Sequence, residues 1–390
     1  MPRNPAYAAL PDYAALKRAN PFRMKVSAAG YSTRAVIDKG DGFFDVMMGW
    51  RDDDRVGWRE DDGSIIFGDI GGQSKVGWNP QEGHGSVWRL KRDDTLEALM
   101  PPGSMTHGTV FEPHKAPVNF GPWGDHIFFV GQTEPGRPGA TKPHAVYRVA
   151  PEGGAPETFC VVPNNGRIGG GVPGALMPGT FGRAGTPFDG SLFVHSFMNC
   201  TIYRVTPDKK IEPFITLDYP DGMIMPQLVI YAPDWWRDYA GELILFGARN
   251  ASFESARRPK SDYAHWRITP DGKIEPIPDP PIPLRAIQAP KEFGPYAGDF
   301  FYVDEGPVDL AQIAGCDEFE EGLPYHGKVM RVTGDGETSV FADNFQGSYT
   351  SLVFDRERLL MGVVGRSYCT GEYHEPDGAI YEIRYNNGKA

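Results

Sequence analysis

The chain has 390 residues, with 39 Lys and Arg against 51 Asp and Glu and a formal net charge of −12. That balance disfavours nucleic acid and anionic membrane as partners, because a phosphate backbone is met by clustered Lys and Arg. Gly (48) and Pro (36) are abundant and no long amphipathic helix, heptad run or low-complexity stretch occurs, so many short elements joined by turns are expected.

Residues 1–22 read as an N-terminal arm carrying Pro2, Pro5 and Pro11. The start has no apolar signal-peptide core, and no run reaches the roughly 20 apolar residues of a membrane span, so a cytoplasmic location is expected. Residues 23–390 read as one domain built from a repeat. A short phrase returns as Val87-Trp-Arg-Leu90, Val146-Tyr-Arg-Val149, Ile202-Tyr-Arg-Val205, His265-Trp-Arg-Ile268, Val329-Met-Arg-Val332 and Ile380-Tyr-Glu-Ile383. Successive copies are 59, 56, 63, 64 and 51 residues apart. This period exceeds that of helical solenoids and suits a four-stranded sheet repeated around an axis.

Each unit divides alike. An apolar run such as Gln227-Leu-Val-Ile-Tyr231 is followed by a second, such as Gly241-Glu-Leu-Ile-Leu245, then by the phrase, a turn and a fourth run. These runs are rich in β-branched and aromatic residues and bounded by Gly, Pro, Asp and Asn. Asp271-Gly272 and Asp335-Gly336 supply positive φ for tight hairpins between the outer strands. The expected fold is all-β: a six-bladed β-propeller of four-stranded antiparallel blades. The chain runs out soon after the third strand of the last unit. A segment within Met24 to Ile37 is therefore expected to supply the missing strand and close the ring. Cys160, Cys200, Cys316 and Cys369 lack CxxC spacing and are expected as free thiols in strands.

The sequence has no Gly-x-Ser-x-Gly elbow, no His-Glu-x-x-His and no phosphate-binding Gly-x-x-x-x-Gly-Lys-Ser/Thr. Gly169-Gly170-Gly171 lies between strands and is not a nucleotide fingerprint. In a propeller, the connections from second to third strands and from one blade to the next share one face, where ligands gather. Seven of the nine histidines fall toward that face by this rule: His84, His144, His265, His326, His374, His195 and His107. His107 precedes an inner strand and His195 ends a second strand, closest to the axis. A neutral imidazole there can bind metal or act as a base near pH 7. Three stretches, expected to open inner strands of different blades, should also converge near the axis: Trp50 to Trp58 running into Asp61, Pro163-Asn-Asn-Gly166, and Pro220-Asp-Gly-Met223. Oxygen ligands arriving from several directions suit a hard or borderline divalent cation.

The Asp61–Ile70 stretch, the Pro-Asn-Asn-Gly at 163–166 and the Pro-Asp-Gly-Met at 220–223 occur in the same order as similar phrases in the gluconolactonase and senescence-marker-protein family, which this chain resembles. The resemblance implies a six-bladed propeller with one divalent cation (Ca, Zn or Mn) near the axis. It places the cation on Asp54, where the family carries Glu, on Asn165 (or Asn164) and on Asp221. The implied activity is metal-dependent hydrolysis of a small lactone or cyclic ester. His107 or His195 would move the proton and Arg285, opening the fifth inner strand, would steady the oxyanion. Tyr349 and Trp58 are candidate pocket walls. The Phe293-Gly-Pro-Tyr-Ala-Gly-Asp299 style also looks like pyrroloquinoline-quinone sugar dehydrogenases. Two other classes stay open: a His-ligated transition-metal lyase or oxidoreductase, including a quinone-dependent dehydrogenase, and a non-catalytic binding propeller.

Overall fold

The computed structural model describes residues 22–38, 41, 43, 46–51, 58–69, 85–101, 104–105, 110–132, 144–162, 176–196, 200–219, 222–249, 263–280, 282–283, 285–304, 327–345, 348–364 and 378–386. They form six blades of four antiparallel strands and a two-stranded ribbon, Asp218–Tyr219 with Gly222–Met223. From the axis outward, the first blade is Val46–Met48, Ile65–Asp69, Ser86–Leu90 and Leu96–Ala98; the second is Phe111–Lys115, Ile127–Gln132, His144–Val149 and Glu157–Val162. The third is Leu176–Phe181, Leu192–Ser196, Thr201–Val205 and Ile211–Thr216, and the fourth is Met225–Tyr231, Leu243–Ala248, Tyr263–Ile268 and Ile274–Ile277. The fifth holds Ile287–Gln288, Phe300–Asp304, Gly327–Val332 and Thr338–Phe345. All six copies of the repeated phrase are third strands.

The sixth blade takes Ser348–Asp355, Arg358–Val364 and Ala379–Tyr385 from the end of the chain and Tyr31–Ile37 from its beginning. The closing strand pairs from Tyr31 opposite Tyr385 to Ile37 opposite Ile380. A second contact doubles the closure, because Lys25–Val26 pairs with Asp343 and Ala342 on the outer edge of the fifth blade. Tyr31, at the joint, is buried against Phe293, Tyr296, Phe341 and Tyr385, and its hydroxyl donates to the Phe293 carbonyl. Burying one such aromatic side chain stabilises by about 1.5–3 kcal/mol, enough to fix the position of a strand.

An eleven-residue connection recurs between the first and second strands of blades two, four and five: 116–126, 232–242 and 289–299. It reads Ala-Pro-x-x-aromatic, then a residue at positive φ, then a second aromatic three places after the first. The fifth residues Phe120, Trp236 and Phe293 bond their N–H to the Pro117, Pro233 and Pro290 carbonyls at 2.9, 2.9 and 3.0 Å. The fifth-position ring is buried each time. The outer hairpins have a similar rule: their fourth position has φ of 66° at Asp94, 93° at Gly153, 66° at Lys209, 77° at Gly272 and 86° at Gly336.

Between blades the apolar faces merge into continuous cores. Among the described residues, eighteen buried ones join blades five and six with the N-terminal strands, whereas the seam between blades four and five holds two separate clusters of six and four, bridged by Trp235. Cys160 and Cys200 are buried free thiols, the first within a strand and the second immediately before one.

One sequence expectation is corrected. The acidic Trp50–Trp58 stretch does not open the first inner strand, which is Val46–Met48. Instead Trp50–Arg51 pairs in parallel with His114 and Lys115 of the second blade's inner strand. Gly49 makes the transfer possible, since a Cβ there would lie 3.0 Å from both the Ile66 and Pro113 carbonyl oxygens.

Candidate functional site

At one rim of the ring every second strand ends beside the start of its third strand. Asp69 faces Ser86, Gln132 faces His144, Ser196 faces Thr201, Ala248 faces Tyr263, Asp304 faces Lys328 and Val363 faces Ala379. Inner strands begin from the same rim. Asp69, Ser86, His195, Ser196 and Thr201 all lie within two residues of these ends and are buried. Buried polar groups are costly unless bonded, so such a collection marks a built polar layer.

The inner strands carry a second recurrent feature. Four of them break register with their second strand at similar depth: between Phe111 and His114, Pro178 and Thr180, Pro226 and Leu228, and Ser348 and Ser351. Each break is a bulge that re-aims the following side chains. Pro113, Pro178 and Pro226 sit at these breaks, where the missing N–H costs no ladder bond. Gly179 is required at its own, because a Cβ there would approach the Phe193 carbonyl oxygen to 2.5 Å.

The second-blade bulge holds Glu112 at φ 29°, buried to 7 % exposure. A carboxylate held in a disfavoured backbone conformation on an innermost strand is the type of strained position found at functional sites. The sequence reading passed over it. Its signal was Glu-Pro within an otherwise strand-like Phe111-Glu-Pro-His-Lys115 run, which only a bulge accommodates.

Two of the sequence-derived candidates lie among the described residues. His195 sits opposite Met177 on the inner strand and Ile202 on the third, with its ring fully buried. Arg285 is half-buried, two residues before the fifth inner strand, and among the described residues its guanidinium has no ion-pair or hydrogen-bond partner. His107, Asp54, Asn165 (with Asn164) and Asp221 lie outside the described residues. Of the proposed pocket walls, Trp58 is buried in the core between blades one and two and donates to Glu60 at 3.2 Å; the Tyr349 side chain is outside the described set. Among the described residues no group of three or more His, Cys, Asp and Glu is placed to hold a metal ion.

A histidine–carboxylate pair appears further out on the fourth blade. His265 Nδ1 lies 3.0 Å from Asp279 Oδ1, with the ring packed on Phe246 and Trp236. Burial lowers the imidazole pKa and Asp279 partly opposes this, so the ring is neutral near pH 7. Among the described residues Nε2 has no bonded partner, which leaves it available as an acceptor.

The chain is a six-bladed β-propeller. No family model matches the sequence, and no curated protein matches it. Solved structures similar to it include an α-L-arabinofuranosidase from Fusarium graminearum at 13 % identity, covering 92 % of this chain and 98 % of that one with a TM-score of 0.47. A virginiamycin B lyase from Staphylococcus aureus gives 12 %, 91 %, 99 % and 0.42 for the same quantities. A gluconolactonase from Xanthomonas campestris gives 12 %, 93 %, 95 % and 0.40.

Proposed function

We propose that the chain hydrolyses a small lactone or cyclic ester at the rim where the inner strands begin. The observation that carries this reading is Arg285, a half-buried cation beside an inner strand with no carboxylate partner among the described residues. An uncommitted guanidinium in such a place stabilises negative charge developing on a carbonyl oxygen, and afterwards the carboxylate of the product. Water adds to the lactone carbonyl and gives its proton to an imidazole, for which His107 and His195 are the candidates. The ring C–O bond then breaks, and the leaving alkoxide takes that proton to give a hydroxy acid. Asp54, Asn165 and Asp221 are the proposed holders of a divalent cation, which when bound would polarise the carbonyl and acidify water. The described residues alone assemble no such site, so the cation rests on the family resemblance.

The test is hydrolysis of a lactone panel followed by proton release, beside elemental analysis before and after chelation, for wild type, Arg285→Gln and Asp221→Ala. Turnover lost in Arg285→Gln, with one equivalent of calcium, zinc or manganese lost in Asp221→Ala, supports the reading. Stoichiometric copper or iron retained by Asp221→Ala points to the His-ligated lyase or oxidoreductase. A protein that opens no lactone, with or without metal, refutes the hydrolase.

A further inference from the structure

The third strands follow a charge rule that one blade reverses. Arg89, Arg148, Arg204, Arg267 and Arg331 hold equivalent places in the first five copies of the phrase, and Glu382 holds it in the sixth. Across the sheet, the residue in register on the fourth strand is Glu97, Glu157, Glu212, Glu275 and Ser339 in those five blades. In the sixth it is Arg34 of the N-terminal strand. The same inversion holds toward the second strand. Arg204, Arg267 and Arg331 reach Ser191, Glu242 and Asp299 at its start, at 2.6, 3.4 and 2.5 Å. Glu382 instead accepts from Arg358 Nε at 2.7 Å.

The reversed pair is deeply set. The Glu382 and Arg358 side chains are 2 % and 1 % exposed. Arg34 approaches Glu382 with two nitrogens, at 3.0 and 2.9 Å. Every neighbouring element contributes charge. Arg384 Nε lies 3.0 Å from Glu382, and Asp94 of the first blade accepts from Arg34 at 2.5 Å. Arg92 and Arg59 meet Asp355, and Arg92 also meets Glu357. Opposite Glu382, a fourth strand carrying Glu would set two carboxylates face to face. A one-residue slip would turn Arg34 to the other side of the sheet.

We propose that Glu382 is an address: by reversing the charge carried at its place in the other five blades, it selects Tyr31–Ile37 as the closing strand, fixes its register, and rejects acidic fourth strands from other blades or other copies of the chain. The device is legible only in the pairing of the two ends of the chain. It makes the edge of Ala379–Tyr385 a surface specific for a strand bearing Arg.

The test compares full-length wild type with Arg34→Glu, Glu382→Arg and the exchanged set Arg34→Glu/Arg358→Glu/Glu382→Arg. Amide hydrogen exchange is read across Ala379–Tyr385, and molar mass by light scattering after refolding. Each single change sets like charges opposite each other at a buried position, and should lower protection of that strand about 100-fold and yield species heavier than wild type. The exchanged set should recover part of both readouts, because Arg384, Asp94 and Asp355 keep their charges beside it. Arg34 is 42 % exposed, so Arg34→Glu is expected to fold even where Glu382→Arg fails, and it decides the matter alone if needed. Wild-type protection and mass in Arg34→Glu would overturn the proposal. So would an exchanged set that folds no better than the single variants.

Discussion

Arg237 occupies, in the fourth blade's eleven-residue connection, the place that Gly294 occupies in the fifth. Their φ, ψ values are 46°, −93° and 76°, −136°, a region where a Cβ is crowded and glycine is the ordinary choice. Gly121 stands at the same place in the second blade with φ 58°. Arg237 is exposed, so its side chain contributes little to offset the strain. Arg237→Gly is expected to stabilise the protein by about 1 kcal/mol, raising the thermal midpoint by about 1–2 °C. Calorimetry checks it, and an unchanged or lower midpoint counts against the strain argument.

The converse change should be severe. At Gly179 an added Cβ would press on the Phe193 carbonyl, which rigid strand pairing holds in place. Gly179→Ala should cost about 2–4 kcal/mol and flatten the bulge beside the axis. Denaturant unfolding measures the first effect, and a crystal structure of the variant shows whether the bulge persists.

Glu382 titrates with a definite sign. Burial alone would raise its carboxyl, but the bond from Arg34 and the charges of Arg358, Arg34 and Arg384 outweigh it and hold the group below the usual Glu value. Its contribution is therefore complete above the unfolded value of about 4.3 and is lost as pH falls from there through the folded value. Glu382→Gln should be less stable than wild type at pH 7 and should show a shallower loss below about pH 4.3. Parallel acid limbs for the two proteins would contradict the assignment.

His265 gives a slope at milder pH. Its folded pKa is lowered by burial, so the unfolded chain binds the proton more readily. Stability should fall as pH drops from about 7 past the unfolded value of about 6.5 and level off below the folded value. In His265→Gln this segment of the stability curve should flatten, which urea midpoints at half-unit pH steps would reveal.

For catalysis, Arg285→Gln should lower kcat about 100- to 1,000-fold, with Arg285→Lys restoring part of it. A variant changed only in KM would assign Arg285 to binding rather than to charge stabilisation.

How much of this was readable beforehand differs by element. The repeated phrase identified six third strands because three apolar residues, buried on both faces of the sheet, are interrupted at a constant place by one charged residue. The closing strand followed from counting, since a sixth unit without a fourth strand needs one. The first inner strand misled because Val46–Met48 is short, while the acidic stretch after it looked like the start of a blade. Glu112 was missed because a bulge is decided by crowding near the axis, which no local pattern states. The reversal at Glu382 stood in the sequence as one Glu among five Arg, but it acquires meaning only when Arg34, 348 residues away, is seen opposite.

A ring closed by its own two ends is ordinarily weakest where they meet. Here that joint is covered by two N-terminal strands, a large shared core and a dense set of paired charges. Among the described residues, the divided seam between blades four and five has only two small clusters bridged by Trp235. Heating is expected to open the ring there first, with Tyr31–Ile37 still paired to Ala379–Tyr385, and hydrogen exchange would show it as protection lost in the fourth and fifth blades before the sixth.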